Sequence, residues 1–295
     1  MLYKLGPFIT RRVITKVFSS QHSIMSSNNM SGVSLNKVLA TLEDFAPIQL
    51  SESWDNTGLL VEPYTQRQIT KILLTNDLTE DVALEAVKED CEMIISYHPP
   101  IFAPLKSVSQ RTWKERLVAL LLEKRIALYS PHTSWDCVRG GVNDWLASGF
   151  DTVTSSPIKS GQDSDTGAGR LLELRELISL SSAVSAVKSL TGLPHVRLAI
   201  GRDRSVKSEI KTVALCAGSG SSVLKDVDAE LYLTGEMLHH DVLDATQKGI
   251  SVILTNHSDS ERGFLKGFSS NLEGRLDKKV SVLVSKLDKD PLVTV

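Results

Sequence analysis

Short apolar runs alternate with segments of helical periodicity from residue 35 onward. An apolar run bounded by polar residues is typical of a buried strand, and apolar residues spaced three or four apart are typical of an amphipathic helix. In the first half of the chain, this pattern predicts strands at 58–61, 72–75, 93–96 and 126–130 and helices at 35–44, 79–88, 112–124 and 141–148. Strand–helix alternation of this kind predicts an α/β layer architecture.

The alternation is interrupted at residues 151–170, where serine and glycine are frequent and large apolar residues are rare. This composition predicts a surface linker. Beyond it, residues 171–190 offer a helix and a strand, followed by predicted strands at 196–200, 212–216, 231–234, 252–255 and 280–284 and predicted helices at 221–227, 236–248 and 259–276. We therefore expect two α/β lobes of mixed sheets flanked by helices, at 33–150 and 171–295. Both lobes place histidines after strands, which suggests that they are related and hold the functional site in the cleft between them.

The first 32 residues differ from the rest of the chain. No Asp or Glu precedes Glu43, while Lys and Arg residues alternate with large apolar residues, and a serine-rich stretch follows. This pattern fits a mitochondrial transit peptide. A disordered tail fits equally well, with Met25 or Met30 as the start of a cytosolic form. We therefore expect the protein in mitochondria or in the cytoplasm and treat residues 1–32 as a leader.

Composition and charge narrow the classes of function. With 41% hydrophobic and 23% charged residues, the composition is that of a globular protein, and the net charge of −2 gives no footprint for nucleic acid. No apolar run approaches the roughly 20 residues of a membrane helix. The three cysteines, Cys91, Cys137 and Cys216, are far apart and form no C-x-x-C pair. This argues for a reducing compartment and against a cysteine zinc site.

Histidines and acidic residues cluster in four short segments. Five of the seven histidines fall in 96–99, 132–136, 235–240 and 257–261, and three of these segments follow predicted strands. In open α/β sheets, ligands bind just beyond the carboxyl ends of the strands. Imidazole and carboxylate ligands gathered there favour a site for Zn, Fe, Mn, Co or Ni.

Two of these segments have spacings suited to a metal ligand pair. His257 and Glu261 are four residues apart at the start of a predicted helix, so both side chains are expected on one face. By itself such a pair is more typical of a surface ion pair. Asp136 lies four residues after His132 in a predicted turn, where its carboxylate either bridges two cations or caps the following backbone.

His98 follows a buried strand and precedes two prolines. Proline does not continue a helix and restricts the residue before it, so the chain is expected to turn here. His98 is therefore expected at the rim of the sheet, either as a metal ligand or as a residue that caps the sheet.

Five motifs together resemble the Nif-three-like family (NGG-one-interacting factor three), whose bacterial members carry the label GTP cyclohydrolase type 2 homologue. The motifs lie at 53–61, 96–102, 132–146, 233–244 and 257–265. They extend over most of the chain outside the leader and the linker. The similarity is greatest to the eukaryotic branch of the family.

The resemblance implies a centre of two divalent metal ions, for which Zn, Fe and Mn are the candidates. Carried over by position, the ligands are His98, Asp136, His257 and Glu261. A fifth ligand position falls on Tyr97, where many bacterial members have histidine. A neutral phenol is a poor replacement because it titrates near pH 10. One of the two ions is therefore expected to bind more weakly or not at all.

Other motif residues have candidate catalytic roles. His132 is expected to orient Asp136, to shuttle protons or to provide a hydrogen bond outside the ligand set. Glu236 and His240 lie four apart on a predicted helix and are candidates for general base or acid. Residues 54–56 are expected to wall the pocket or to form a structural turn. The glycine-containing segment 216–222 is a candidate anion-binding turn, although an ordinary tight turn is the simpler explanation.

Three functions are compatible with this sequence. The first is a metal-dependent hydrolase acting on a small anionic or nucleotide-like substrate. The second is a protein-interaction scaffold or transcriptional co-regulator with a weakened metal site, which would add a nuclear pool. The third is metal storage or insertion. The resemblance also implies a homo-oligomer, a dimer or a hexamer, and we expect no direct contact with nucleic acid or membrane.

Overall fold

A computed structural model describes residues 31–161 and 163–293, so the predicted leader falls outside the described residues except for its last two positions. The strands are β1 (Gly58–Val61), β2 (Lys71–Thr75), β3 (Met93–Ser96), β4 (Ala127–Ser130), β5 (Thr152–Ser156), β6 (Lys159–Ser160), β7 (Gly167–Ala168), β8 (Arg170–Ser179), β9 (Arg197–Ala199), β10 (Glu209–Ser219), β11 (Leu231–Glu236), β12 (Ser251–Leu254) and β13 (Ser281–Val284). The helices are α1 (Leu35–Phe45), α2 (Glu80–Lys88), α3 (Trp113–Lys124), α4 (Thr133–Cys137), α5 (Val142–Ala147), α6 (Leu180–Thr191), α7 (Ser221–Leu224), α8 (His239–Gln247) and α9 (Phe264–Arg275).

The strands form two mixed sheets flanked by helices, which confirms the predicted fold class. The first sheet has the order β1-β4-β3-β2-β13, and all its neighbours are parallel except β1 and β4. The second has the order β5-β8-β10-β11-β12-β9, with β10, β11 and β12 parallel. A short hairpin of β6 and β7 completes the strands listed above. Among the described residues, no helix has the length and apolar character needed to cross a membrane.

A hydrophobic core lies between the two sheets, and each sheet has a smaller core on its other face. Side chains alternate along a strand, so Met93 and Ile95 of β3 enter the central core while Ile94 faces the outer core with α2 and α3. In β10, Val213 enters the central core and Ala214 faces the outer core with α7 and α8. Helices α1, α5, α6 and α9 fill the space between the sheets.

Residues 151–170 differ from the predicted linker because they contain β5, β6 and β7. β5 is polar and largely exposed, but its β-branched residues suit an edge strand, and it pairs with β8. The division into 33–150 and 171–295 also does not follow the sheets. β13, near the end of the second range, pairs in parallel with β2 and so belongs to the first sheet.

The sheets place one set of strand ends together. Parallel strands β2, β3 and β4 of the first sheet end at Thr75, Ser96 and Ser130, and the segments that follow them hold Asp77, His98 and His132. Parallel strands β11 and β12 of the second sheet lead into Glu236 and His257. The candidate residues of the two sheets therefore meet at the carboxyl edges, where open sheets bind ligands.

An aromatic cluster joins α9 to the segment after β4 and is expected to dominate the stability of the central core. The Phe268 ring lies 4.2 Å from the Trp135 ring and 5.0 Å from the Phe45 ring, and the side chain is 3% exposed. Phe268→Ala is expected to lower the free energy of unfolding by about 3–5 kcal/mol, measured by urea denaturation. Lys266→Ala, on the exposed face of the same helix, is the control and is expected to change it by less than about 0.5 kcal/mol. Similar losses in both variants would contradict this packing.

Candidate metal centre

Three of the predicted ligands come together at the carboxyl edges of the two sheets. One ligand atom each from His98, His257 and Glu261 lies within 4.8 Å of the other two. The Nε2 atom of His98 is 3.3 Å from Oε2 of Glu261, and the Nε2 atom of His257 is 3.5 Å from Oε1 of the same carboxylate. One carboxylate therefore lies between two imidazole nitrogens.

The donor atoms fit a divalent ion. The Nε2 atom of His98 is buried, and although it faces Glu261 it has no hydrogen-bond partner among the described residues. This nitrogen lies at ion-pair distance from Glu261 without hydrogen-bond geometry, so its bonding capacity is incompletely used and would be satisfied by a bound cation. Two imidazoles and one carboxylate form the ligand set of many catalytic metal sites, which keep further coordination positions open.

Both histidines are oriented by a carboxylate on their other ring nitrogen. The Nδ1 atom of His98 is 2.8 Å from Oδ1 of Asp77, and the Nδ1 atom of His257 is 2.9 Å from Oε1 of Glu236. A partner of this kind fixes the tautomer of a ligand histidine and turns its Nε2 atom toward the metal. Both rings are thus oriented with Nε2 toward Glu261, and Glu236 contacts a candidate ligand.

Glu261 is 2% exposed and is held by groups from both sheets. The side-chain amide of Asn76, which follows β2, donates a hydrogen bond of 3.0 Å to Oε2 of Glu261. Gly218, near the end of β10, has a backbone φ of +65° and lies directly against the same carboxylate. Glycine adopts this left-handed conformation without strain, and its lack of a Cβ leaves room for Glu261.

The charges in this group compensate one another. Burial lowers the pKa of His98, but the Glu261 and Asp77 carboxylates outweigh burial and raise this pKa to about 10. Burial raises the pKa of Glu261, but His98 and His257 outweigh it and hold this pKa below its usual range. The carboxylates therefore favour positive charge between them. A divalent cation bound here would supply that charge in place of the His98 proton.

Asp136, the fourth ligand implied by the resemblance, lies outside this group of three. Its Oδ1 atom accepts a hydrogen bond of 2.5 Å from the phenol of Tyr97, and it lines the same cleft as His257 and Glu261. Burial raises the pKa of Asp136 to about 6 against the effect of the Tyr97 hydrogen bond, and burial also raises the pKa of Tyr97. In this structure the carboxylate of Asp136 is paired with the phenol.

His132 is paired with Asp55 and makes no hydrogen bond to Asp136 among the described residues. Its Nδ1 atom is 2.8 Å from Oδ1 of the buried Asp55, whose Oδ2 atom accepts a hydrogen bond of 2.6 Å from the Thr133 hydroxyl. His132 has a backbone φ of +36°, and such strain costs a residue other than glycine about 1–3 kcal/mol. Its ring lies 5.4 Å from that of His98. Asp55, in the segment predicted to wall the pocket, thus fixes a histidine beside the candidate ligand His98.

The structure separates Glu236 from His240. Residues 236–248 were predicted as one helix, but Glu236 is the last residue of β11 and α8 begins at His239. Residues four apart share a face only within one helix, so Glu236 and His240 do not lie on a common face. His240 is exposed, with its ring 5.3 Å from that of His239, and it forms no hydrogen bond to the ligand residues in the described part of the chain. This geometry does not support a catalytic role for His240.

The predicted helix start at 259 is also wrong, although the side chains of His257 and Glu261 do lie close together. His257 and Glu261 flank a short 3-10 helix at Ser258–Ser260, and α9 begins at Phe264. The tight turn still points both side chains at the same place. Asn256, directly before His257, has a φ of +72°, which turns the chain sharply out of β12.

A cleft of about 380 Å³ opens onto the candidate metal centre. The residues that line it include His132, Asp136, His257, Glu261 and Lys159. Trp54 and Phe102, which are 59% and 50% exposed, also line it with their rings 6.1 Å apart. The lining includes Ala217, Gly218, Ser219 and Ser222 of the glycine-containing segment.

Two residues of this site went unnoticed in the sequence. Asn76 and Asp77 directly follow β2 and contact Glu261 and His98. Their position immediately after a predicted strand is the same signal that identified the histidines. Neither residue is a histidine, and the search of the sequence followed the histidines.

The fold and the site define an α/β protein with a candidate metal centre of histidine and glutamate ligands at the facing edges of two mixed sheets. A model of the Duf34/NIF3 family (NGG1p interacting factor 3) matches residues 33–291. NIF3-like protein 1 of Drosophila melanogaster is 49% identical over 271 aligned positions, which cover 91% of this chain and 91% of that protein. NGG1-interacting factor 3 of Saccharomyces cerevisiae is 41% identical over 278 positions, which cover 88% of this chain and 96% of that protein.

A solved structure shows the same fold. The crystal structure of a hypothetical protein of Staphylococcus aureus matches with a TM-score of 0.78 and 25% identity, covering 90% of this chain and 100% of that one. The chain therefore belongs to the Duf34/NIF3 family, as its motifs suggested.

Gly218 offers a test of the metal centre in which no candidate ligand residue is mutated. A Cβ atom at this position would lie 2.6 Å from Oε1 of Glu261 and 3.1 Å from Nε2 of His257. Gly218→Ala is therefore expected to displace the carboxylate and weaken Zn²⁺ binding on the order of tenfold or more, measured by competition with a chelator. The control is Gly267→Ala, in α9, where a Cβ has no neighbour within 4 Å. Equal Zn²⁺ affinity in the two variants would contradict the assignment.

Proposed function

We propose that this protein is a metal-dependent hydrolase that acts on small anionic substrates. The observation that carries the proposal is the group of His98, His257 and Glu261, whose unpartnered His98 nitrogen fits a divalent ion beside an open cleft. A divalent ion in this position supplies a Lewis acid and lowers the pKa of a water molecule. The candidates for the ion are Zn, Fe and Mn, since imidazole and carboxylate ligands suit each of them.

The number of ions follows from Tyr97 and Asp136. The three-residue group holds one ion. A second ion requires the Asp136 carboxylate, which here accepts the Tyr97 hydrogen bond, and the remaining ligand position of the family falls on Tyr97 itself. We therefore propose one tightly bound ion and a second site that is weak in this chain.

His132 is the best-supported general acid or base. The buried Asp55 carboxylate pairs with Nδ1, and His132 lines the cleft together with Glu261, so Nε2 is the ring nitrogen available for proton transfer. A base needs a positioned ring with one nitrogen free to accept or donate a proton at the substrate. Glu236 is already engaged with His257, so it serves the ligand set rather than the proton transfer.

The cleft supports an anionic substrate that carries a ring. Lys159 lines the cleft and supplies a positive charge for a phosphate or carboxylate group. The exposed faces of Trp54 and Phe102 at the same cleft favour a planar apolar group. These features support nucleotide-like molecules first and smaller phosphoesters second.

The hydrolase proposal is tested with the Zn²⁺, Mn²⁺ and Fe²⁺ forms on a panel of nucleotides, phosphomonoesters, phosphodiesters and amides. On any substrate that is turned over, His132→Gln is expected to lower kcat by about 10²–10⁴-fold while the metal content stays the same. His195→Gln, an exposed histidine far from the candidate residues in sequence, is the control and is expected to keep the wild-type kcat. A His132→Gln protein with unchanged kcat would remove His132 from the mechanism.

A protein-binding role is the second candidate. The observation in its favour is the name of the yeast relative, NGG1-interacting factor 3, which records an interaction of that protein. If the metal-loaded protein turns over nothing in the panel, the protein-binding role becomes the better supported of the two.

A further inference from the structure

Asp288, near the end of the described chain, is buried against the loop that orients the candidate ligands. After β13, a turn built on the Ser285 hydroxyl brings Asp288 across the carboxyl end of β2, and the backbone N–H of Asp288 donates to that hydroxyl at 3.1 Å. The Asp288 side chain is 2% exposed. A buried carboxylate at this edge of the sheet needs several donors to offset its desolvation.

The donors of Asp288 come from the two segments that flank the candidate metal centre. Its carboxylate accepts the backbone N–H groups of Asn76 at 2.8 Å and Asp77 at 3.3 Å. It also forms a two-contact ion pair with Arg262, at 3.2 Å from Nε and 3.1 Å from Nη2. Arg262 directly follows the ligand Glu261. One carboxylate thus ties the loop after β2 to the segment after β12.

The residues fixed by Asp288 are the ones that hold the ligands. The Asn76 amide donates to Glu261, and the Asp77 carboxylate binds Nδ1 of His98. A displacement of the backbone at 76 and 77 would therefore move the Asn76 amide away from Glu261 and the Asp77 carboxylate away from His98. Partners of this kind are worth about 10–100-fold in metal affinity.

The same chain contains a chemically matched arrangement at the other end of β2. Glu92, 4% exposed, accepts the backbone N–H groups of Thr70 and Lys71, each at 2.8 Å, and pairs with Arg67 at 3.3 Å. It too is a buried carboxylate with two consecutive N–H donors and one arginine. It lies at the amino end of β2, away from the candidate ligands. Glu92 is therefore expected to stabilise the strand without affecting the candidate metal centre.

We infer that Asp288 is a positioning residue for the metal centre, acting through Asn76 and Asp77 on Glu261 and His98. The inference rests on the proposed metal centre for its effect on affinity. It assigns the segment after β13 to the functional site, although this segment supplies no ligand.

Two variants of the full chain, Asp288→Asn and Glu92→Gln, separate positioning from general stability. Each removes one buried charge that is paired with an arginine and two backbone N–H groups. In the metal-free protein, the ¹⁵N chemical shifts of the His98 ring, assigned with His98→Gln, are expected to move in Asp288→Asn and to stay in Glu92→Gln. With Co²⁺ alone as the probe, Asp288→Asn is expected to bind Co²⁺ about 10–100-fold more weakly than the wild-type protein and to show an altered visible absorption spectrum. Glu92→Gln is expected to match the wild-type protein in both respects.

Unchanged His98 shifts in Asp288→Asn, or equal changes in both variants, would overturn the inference. If wild-type protein binds no Co²⁺, the proposed metal centre fails, and the ring shifts of the metal-free proteins still decide whether Asp288 positions His98. If Asp288→Asn does not fold, Arg262→Lys takes its place, because lysine keeps the charge and loses the two-contact geometry. Changes of the same kind, but smaller, are then expected in the His98 ring shifts and in the Co²⁺ affinity.

Discussion

The carboxylate of Glu261 between the imidazoles of His98 and His257 is the interaction on which the rest of the site depends. A carboxylate that is 2% exposed is stable only where positive charge and hydrogen-bond donors surround it. Here the two histidines and the Asn76 amide supply them, and they come from different sheets. The candidate site therefore depends on the carboxyl edges of the two sheets facing each other.

The groups around this carboxylate form a second layer built largely from acids. Asp77 and Glu236 orient the two histidines, Asp55 orients His132, and Tyr97 binds Asp136. Each of these carboxylates is therefore paired with a particular histidine or tyrosine of the candidate site. Such an arrangement fixes tautomers and ring directions before any ion or substrate binds, which is how metal sites gain both affinity and a defined geometry.

Local patterns in the sequence predicted much of the fold. The strands at 58–61 and 93–96 were found as predicted, because a short apolar run is buried whichever sheet it joins. Glu236 was assigned to a helix, because the pairing of β11 with β10, which carries the strand through Glu236, is a contact between distant segments. β5 was also missed, because its polar, exposed residues indicate a strand only once they pair with β8.

The site was predictable to the extent that its residues follow strands. Position after strands drew attention to the segments of His98, His257 and Glu261, and the family resemblance then gave these residues as candidate ligands. The turn between His257 and Glu261 keeps their side chains together although it is a 3-10 turn rather than a helix. Asp288 was invisible to this reasoning, because its place beside Asn76 is set by the parallel pairing of β13 with β2, more than 200 positions apart along the chain.

Metal content per chain, compared between the wild-type protein and Glu261→Gln, tests the central claim most directly. After reconstitution with Zn²⁺ and removal of free ion, elemental analysis is expected to find about one tightly bound equivalent in the wild type, since three protein ligands hold one catalytic-type ion. The variant, folded by circular dichroism, is expected to retain almost none. Equal metal content in the two proteins would contradict the assignment of Glu261 as the carboxylate at the heart of a metal centre.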